Sequence, residues 1–244
     1  MSRLAFSSKY FIASLLLGAG VIWLVWKCWY PGPLLVLMDA HRLLFLMVAA
    51  QALVIPIIVS LVFKPGKTRV WMDVAILASL QLCILVFGIH AMWQGRPVYI
   101  ADVGDRYDLV AANLVHPKDL QQAGITLPAW GPKWVGTRPP HTSELKDRVV
   151  FSALAGKDYG HFPQLHTPPA PTKTPQVPGA QPWSALYDHN TSISETAIAR
   201  WLTDHRRKES DVFYLPLRGP ERDGAVVFDA RTGSLLGIAP FNPW

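Results

Sequence analysis

The 244-residue chain has only two cysteines, Cys28 and Cys83, and both lie in or beside apolar runs near its start. Everything after Cys83 therefore lacks the means for an internal disulfide, so its stability must come from burial. Charge is just as unevenly withheld. Lys, Arg, Asp and Glu are missing from Tyr10 to Trp26, Leu43 to Phe63 and Val74 to Trp93, each close to the roughly 17–25 residues an α-helix needs to cross hydrocarbon. No run of that kind follows Gly95. Without Asp, Glu, Lys or Arg, the three stretches offer no ion path, which argues against a transporter. Catalytic signatures are missing too: there is no GxSxG elbow, phosphate-binding Walker loop, GxGxxG fingerprint or HExxH helix.

These absences leave an integral membrane protein with three N-terminal transmembrane helices, at about 10–28, 43–63 and 73–93, in a region spanning residues 1–95. Residues 96–244 then form an appended α+β domain. Arg3, Lys9, Lys64, Lys67 and Arg69 lie on one side of the spans, against Lys27 and Arg42 on the other. That excess places the amino terminus inside and the carboxyl-terminal domain outside. Trp26, Trp29, Trp71 and Trp93 fall at the ends of the runs, where indoles favour the interface. Bulky Val21 to Trp26 continue past Gly18-Ala19-Gly20, so the first run reads as an uncleaved anchor rather than a signal peptide.

The sequence pI of 9.4 invites a nucleic-acid reading, but the charge is partitioned. Residues 1–93 carry seven Lys or Arg and two Asp or Glu, a net +5, whereas residues 94–244 carry sixteen and fifteen, a net +1. The basicity is mostly topological, and nucleic acid is excluded as a partner.

In the outer domain, Pro97–Val103 and Arg106–Ala112 read as early strands around the Gly104-Asp105 turn. Helices are expected at Pro117–Ala123, ended by Gly124, and at Ser143–Ala155, with Leu145, Val149, Ala153 and Leu154 on one face. A capping box at Ser192-Ile193-Ser194-Glu195 opens another, with Ala197, Ile198, Trp201 and Leu202 on its apolar side. Strands at 212–217, 225–229 and 234–238, with a turn at Asp229–Gly233, complete an antiparallel sheet. Between the helices, residues 162–183 hold seven prolines in twenty-two positions and read as a strap over the domain surface.

Weighed for chemistry, little stands out. His161, His166, His189 and His205 lack the converging set a zinc site needs and read as surface or turn residues. Arg106 sits among Asp102, Asp105 and Asp108, so local ion pairing accounts for those acids without catalysis. Asn190-Thr191-Ser192 is a formal glycosylation sequon that overlaps the expected helix cap. Within the apolar runs, Gln51, Gln81 and His90 are the polar exceptions, able to bond across helices or to a partner's helix, and Pro56 is a kink point.

Three blocks carry a resemblance: Gly32-Pro33-Leu34 through Lys64-Pro65-Gly66-Lys67; Gln94-Gly-Arg-Pro-Val-Tyr99 leading to Asp105-Arg106-Tyr107; and Asp229-Ala-Arg-Thr-Gly233 with Pro243-Trp244. In this order they resemble the TfpX/TfpZ family of type IV pilin accessory proteins. The resemblance implies a bacterial inner-membrane factor with a periplasmic domain, in contact with lipid and with its cognate type IV major pilin, affecting pilin stability, abundance or assembly. It implies no enzymatic residue, cofactor or metal, and leaves homo-oligomerisation open. It marks Arg96, Pro97, Tyr99, Asp105 and Arg106 as candidate partner contacts, beside Gln51, Gln81 and His90, which are candidates as the polar exceptions of the apolar runs. An envelope enzyme that modifies pilin and a general component of the pilus machinery are the alternatives.

Overall fold

The computed structural model describes residues 3–50, 58 and 70–244. Helix α1 (Arg3–Cys28) leads through α2 (Leu34–Leu37) to α3 (Ala40–Ala49), and α4 (Val70–Gly95) runs almost directly into the sheet. Among the described residues, two helices are long and apolar enough to cross a membrane, through Phe11–Cys28 and Ala75–Gly95. Only 22% and 28% of these windows are buried, unlike the core helix of a soluble domain. The expected second span enters the described residues only as α3; its continuation, with Gln51 and Pro56, lies outside them, as do Lys64, Lys67 and Arg69.

The remaining elements are β1 (Pro97–Asp102), β2 (Tyr107–Ala111), α5 (Pro117–Ala123), β3 (Lys133–Thr137), α6 (Ser143–Ala153), β4 (His166–Thr167), β5 (Gln181–Pro182), α7 (Ala185–His189), α8 (Glu195–Asp204), β6 (Val212–Arg218), β7 (Gly224–Asp229) and β8 (Leu235–Ala239). The strands form one sheet in the order β4-β3-β1-β2-β6-β7-β8, with β5 added to β6. The early hairpin and the terminal meander are antiparallel, but β1 pairs with β3 and β2 with β6 in parallel. The sheet is therefore mixed, not antiparallel as expected. Both parallel pairings join strands far apart in sequence, and the β2–β6 pairing, limited to Tyr107↔Leu217 and Asp108↔Arg218, stitches the two hairpins into one layer.

Alternation along the strands separates two faces. Ile100, Leu109, Phe213, Leu215, Val226 and Phe228 pack on Trp29, Tyr30, Leu34 and Leu37, so the link between the first two apolar runs covers one face. Trp29, expected at the interface, is buried there against Trp93 with ring centroids 5.2 Å apart. On the other face, Val212, Tyr214, Ala225 and Val227 pack against Trp183, Leu186, Ile198 and Leu202 of the α7–α8 region.

Local signals hold where one turn decides them. Pro117 opens α5, and Gly124, at φ +66, ends it. The capping box does not form: α8 begins after Ser194, whose side chain makes no cap bond to the backbone. Ile193 instead packs in the cluster that holds Ile198, as a hydrophobic staple, and this displaces the helix start. Helix α6 buries Leu145 and Val149, but Leu154 is 87% exposed. The chain leaves the helix after Ala153, with Lys157 N–H donating to Ser152 O at 3.0 Å, and both Ala153 and Leu154 are exposed there.

The proline-rich segment lies along the sheet. Lys173 N–H donates to Gly233 O at 2.9 Å, the Lys173 ammonium pairs with Asp102, and Gln181–Pro182 adds to β6. Gly179, at φ +80, is pressed so closely on Asp105 that a Cβ there would lie 1.8 Å from the Asp105 carbonyl oxygen.

Candidate functional site

Helices α1 and α4 bring small and polar residues together between two apolar exteriors. Ser14 is 2% exposed and Gln81 8%, and the Gln81 amide donates to Ser14 Oγ at 3.1 Å. Beside this pair lies an open groove of about 360 Å³, walled by Ala13 and Leu17 of α1 and by Ala78, Leu82 and Leu85 of α4. Gly88 lies against Met47 and Gly18 near Val48, so the described part of α3 packs on the outer halves of the same two helices. The buried amide bridges the two helices and contributes roughly 0.6–2 kcal/mol to holding them. Ser14 went unselected in the sequence, where a serine within an apolar run carries no signal until its partner is known.

The sequence-selected residues occupy different environments. His90 is exposed on α4, and Gln51 lies outside the described residues. Arg96, Pro97 and Tyr99 are buried where α4 becomes β1, so their side chains offer no free surface to a partner. Arg96 donates to Pro128 O from Nε and Nη2, at 3.2 and 2.9 Å, and to Trp93 O from Nη1 at 2.6 Å, while stacking 3.4 Å from the Trp93 ring centroid. Burial pulls its guanidinium below the ordinary arginine value. Tyr99 meets His166 edge to face at 4.6 Å. These three residues tie the sheet to the end of α4.

Asp105 is exposed and Arg106 half-buried, at the rim of a charge cluster. Arg106 pairs with Asp105, Asp108 and Asp158, and Arg218 reaches Asp108 at 2.8 Å. Arg106 Nε and Asp108 Oδ1 face each other at 3.4 Å without hydrogen-bond geometry. Burial raises the Asp108 carboxyl above its usual range, opposed by the two arginines. Asp102 belongs to a different pair, with Lys173 of the strap. Thus Arg106 neutralises only part of the aspartate run; Arg218, Asp158 and Lys173 come from distant segments that no local pattern marks.

Among the histidines, His161 is 7% exposed and His166 half-buried, contrary to a surface placement. His161 Nδ1 accepts from Asp158 N–H at 3.2 Å, and burial pulls its pKa down to about 4. His166 Nε2 lies 2.9 Å from Gly160 O, and His205 stacks on Trp201. Among the described residues, no three His, Cys, Asp or Glu side chains converge as metal ligands. Asn190, the sequon residue, is 4% exposed; it donates to Leu186 O and Asn242 O and accepts from Asn242 N–H, pinning the last residues.

The geometry thus presents a groove between two apolar helices and, apart from it, an ion-paired cluster in the C-terminal domain. No protein-family model matches the chain, and no solved structure matches it. It is 24% identical over 172 residues, 67% of each chain, to the fimbrial assembly protein of serogroup I of Dichelobacter nodosus. It is also similar to the serogroup E1 fimbrial assembly protein of that organism, 20% identical over 224 residues, which cover 88% of this chain and 87% of the relative.

Proposed function

We propose that this protein is an inner-membrane accessory factor in type IV pilus assembly, acting on its cognate pilin as a chaperone-like partner and not as an enzyme. Similarity to two fimbrial assembly proteins supports the pathway, and the TfpX/TfpZ resemblance supports the finer role. In this reading Leu43–Phe63 is a second span between α1 and α4, the amino terminus is cytoplasmic and residues 96–244 are periplasmic.

The observation that carries the mechanism is the groove between α1 and α4, with a hydrogen-bonded polar pair beside it and short side chains in its walls. An unassembled pilin is held in the membrane by a long apolar helix. That helix would lie in the groove by close packing, while the exported pilin head meets the outer domain near the exposed Asp105.

Photoreactive residues at Leu17 and Leu82, in cells making the cognate pilin, are expected to yield pilin adducts well above those from Phe45, which is 73% exposed on α3. Absence of adducts at both groove positions removes the mechanism. Exchange of pilin alleles in a deletion strain is expected to lose piliation only with the matching pilin. Loss with every pilin would instead mark a general machine component.

A further inference from the structure

We propose that Trp130 and Trp244 are lipid anchors that bed the C-terminal domain on the membrane surface at the outer ends of the spans. The inference rests on the membrane reading above. Its ligand is the boundary between lipid headgroups and acyl chains, where an indole keeps its ring in apolar surroundings and its N–H in polar ones.

Trp130 is 68% exposed, yet its neighbours in the chain are fastened to both long helices. Gly131 N–H donates to the carbonyl of Cys28, the last residue of α1, at 2.8 Å. Two residues before Trp130, Pro128 O accepts from the guanidinium of Arg96, the first residue beyond α4. The indole is therefore held at the level where both apolar helices end, with Ile125, 41% exposed, five residues earlier.

Trp244, 51% exposed, reaches the same level by a separate route. Its Nε1–H donates to Asp223 Oδ2 at 2.9 Å, while Asp223 Oδ1 accepts Gly219 N–H at 3.0 Å. The hairpin that holds Asp223 is bonded to the link between α1 and α3: Arg222 N–H donates to Leu37 O at 3.1 Å, and the Arg222 guanidinium pairs with Asp39 at 3.3 Å. Asp39 immediately precedes α3, where the next apolar run begins. Two large exposed rings, at positions 130 and 244 of the sequence, are thus each tied, within a few bonds, to a helix end. Leu235, exposed at the start of β8, lies at the opposite end of that strand from Ala239, which packs beside Gly224 of the hairpin, and serves as the aqueous reference.

The test uses the full chain in phospholipid vesicles, with Cys28 and Cys83 replaced by serine and a single spin-labelled cysteine at position 87, 130, 244 or 235. Collision with oxygen, which concentrates in lipid, is compared with collision with a water-soluble nickel chelate. Oxygen is expected to dominate several-fold at 87 and nickel several-fold at 235, with 130 and 244 between them. Labels at 130 and 244 that match 235 while 87 stays in lipid overturn the anchors and leave the membrane reading intact. Labels that all match 235 overturn both. As a check independent of cysteine labelling, Trp130→Phe with Trp244→Phe is expected to lose a measurable part of the fluorescence quenching by brominated lipid. Unchanged quenching overturns the proposal.

Discussion

The two long helices and the C-terminal domain use the same kinds of side chain in opposite directions. On α1 and α4 the large apolar residues point outward, with Leu16 68%, Trp23 61% and Phe87 73% exposed, while Ser14, Gly18 and Gln81 are buried. In the domain, Trp183, Leu186 and Leu215 are at 1% exposure or less, and the acids and bases lie mainly at the surface or in ion pairs. The difference is the one expected if the domain lies in water and the helices lie in hydrocarbon, as the proposed function requires: water drives apolar groups inward, whereas hydrocarbon offers nothing to gain from burying leucine. The sheet's apolar core continues into the near ends of the helices through Val25, Met47 and Met92, and farther along α1 and α4 the buried Gln81–Ser14 pair bridges the two helices.

The comparison breaks most severely where a charge sits inside the domain. Asp108→Ala leaves Arg106 and Arg218 with one buried carboxylate fewer, and should cost about 3 kcal/mol. Denaturant unfolding of the detergent-solubilised protein, followed by tryptophan fluorescence, measures it. A loss under about 1 kcal/mol would mean that Asp158 and Asp105 already neutralise both arginines.

Acid should also act on the domain before the helices. With its folded pKa near 4 against an ordinary value of 6.5, His161 is neutral in the native state while the unfolded chain takes up a proton between those values. The unfolded state then holds more protons, so stability falls as pH drops from about 6.5 to about 4, by up to about 3 kcal/mol, and levels below. Unfolding midpoints across that window should slope accordingly, and His161→Gln should remove most of the slope.

The smallest effect is expected within the helices. Gln81→Leu exchanges the amide that meets Ser14 for an apolar side chain and should weaken the α1–α4 contact by about 1 kcal/mol. Phe87→Leu, on the outward surface of α4, should change nothing measurable. Reversible helix association in mild detergent distinguishes the two. Equal effects would place both residues in the same environment and undo the contrast.

Composition and short-range spacing determined much of this protein. Apolar runs without charge mark the long helices α1 and α4, whose length and composition would suit a membrane, where every backbone polar group must bond inside its own segment. Pro117 and Gly124 bound α5, and the Asp229–Gly233 turn sets the β7–β8 hairpin, since proline and positive φ act over single residues. Tertiary structure alone decided the parallel β1–β3 and β2–β6 pairings, the burial of His161, and the meeting of Arg106 with Asp158 and of Gln81 with Ser14. These depend on groups separated by tens of residues, whose proximity is set by how the sheet closes and the helices cross. A local pattern records which side chains are available, while the packed chain determines which of them touch.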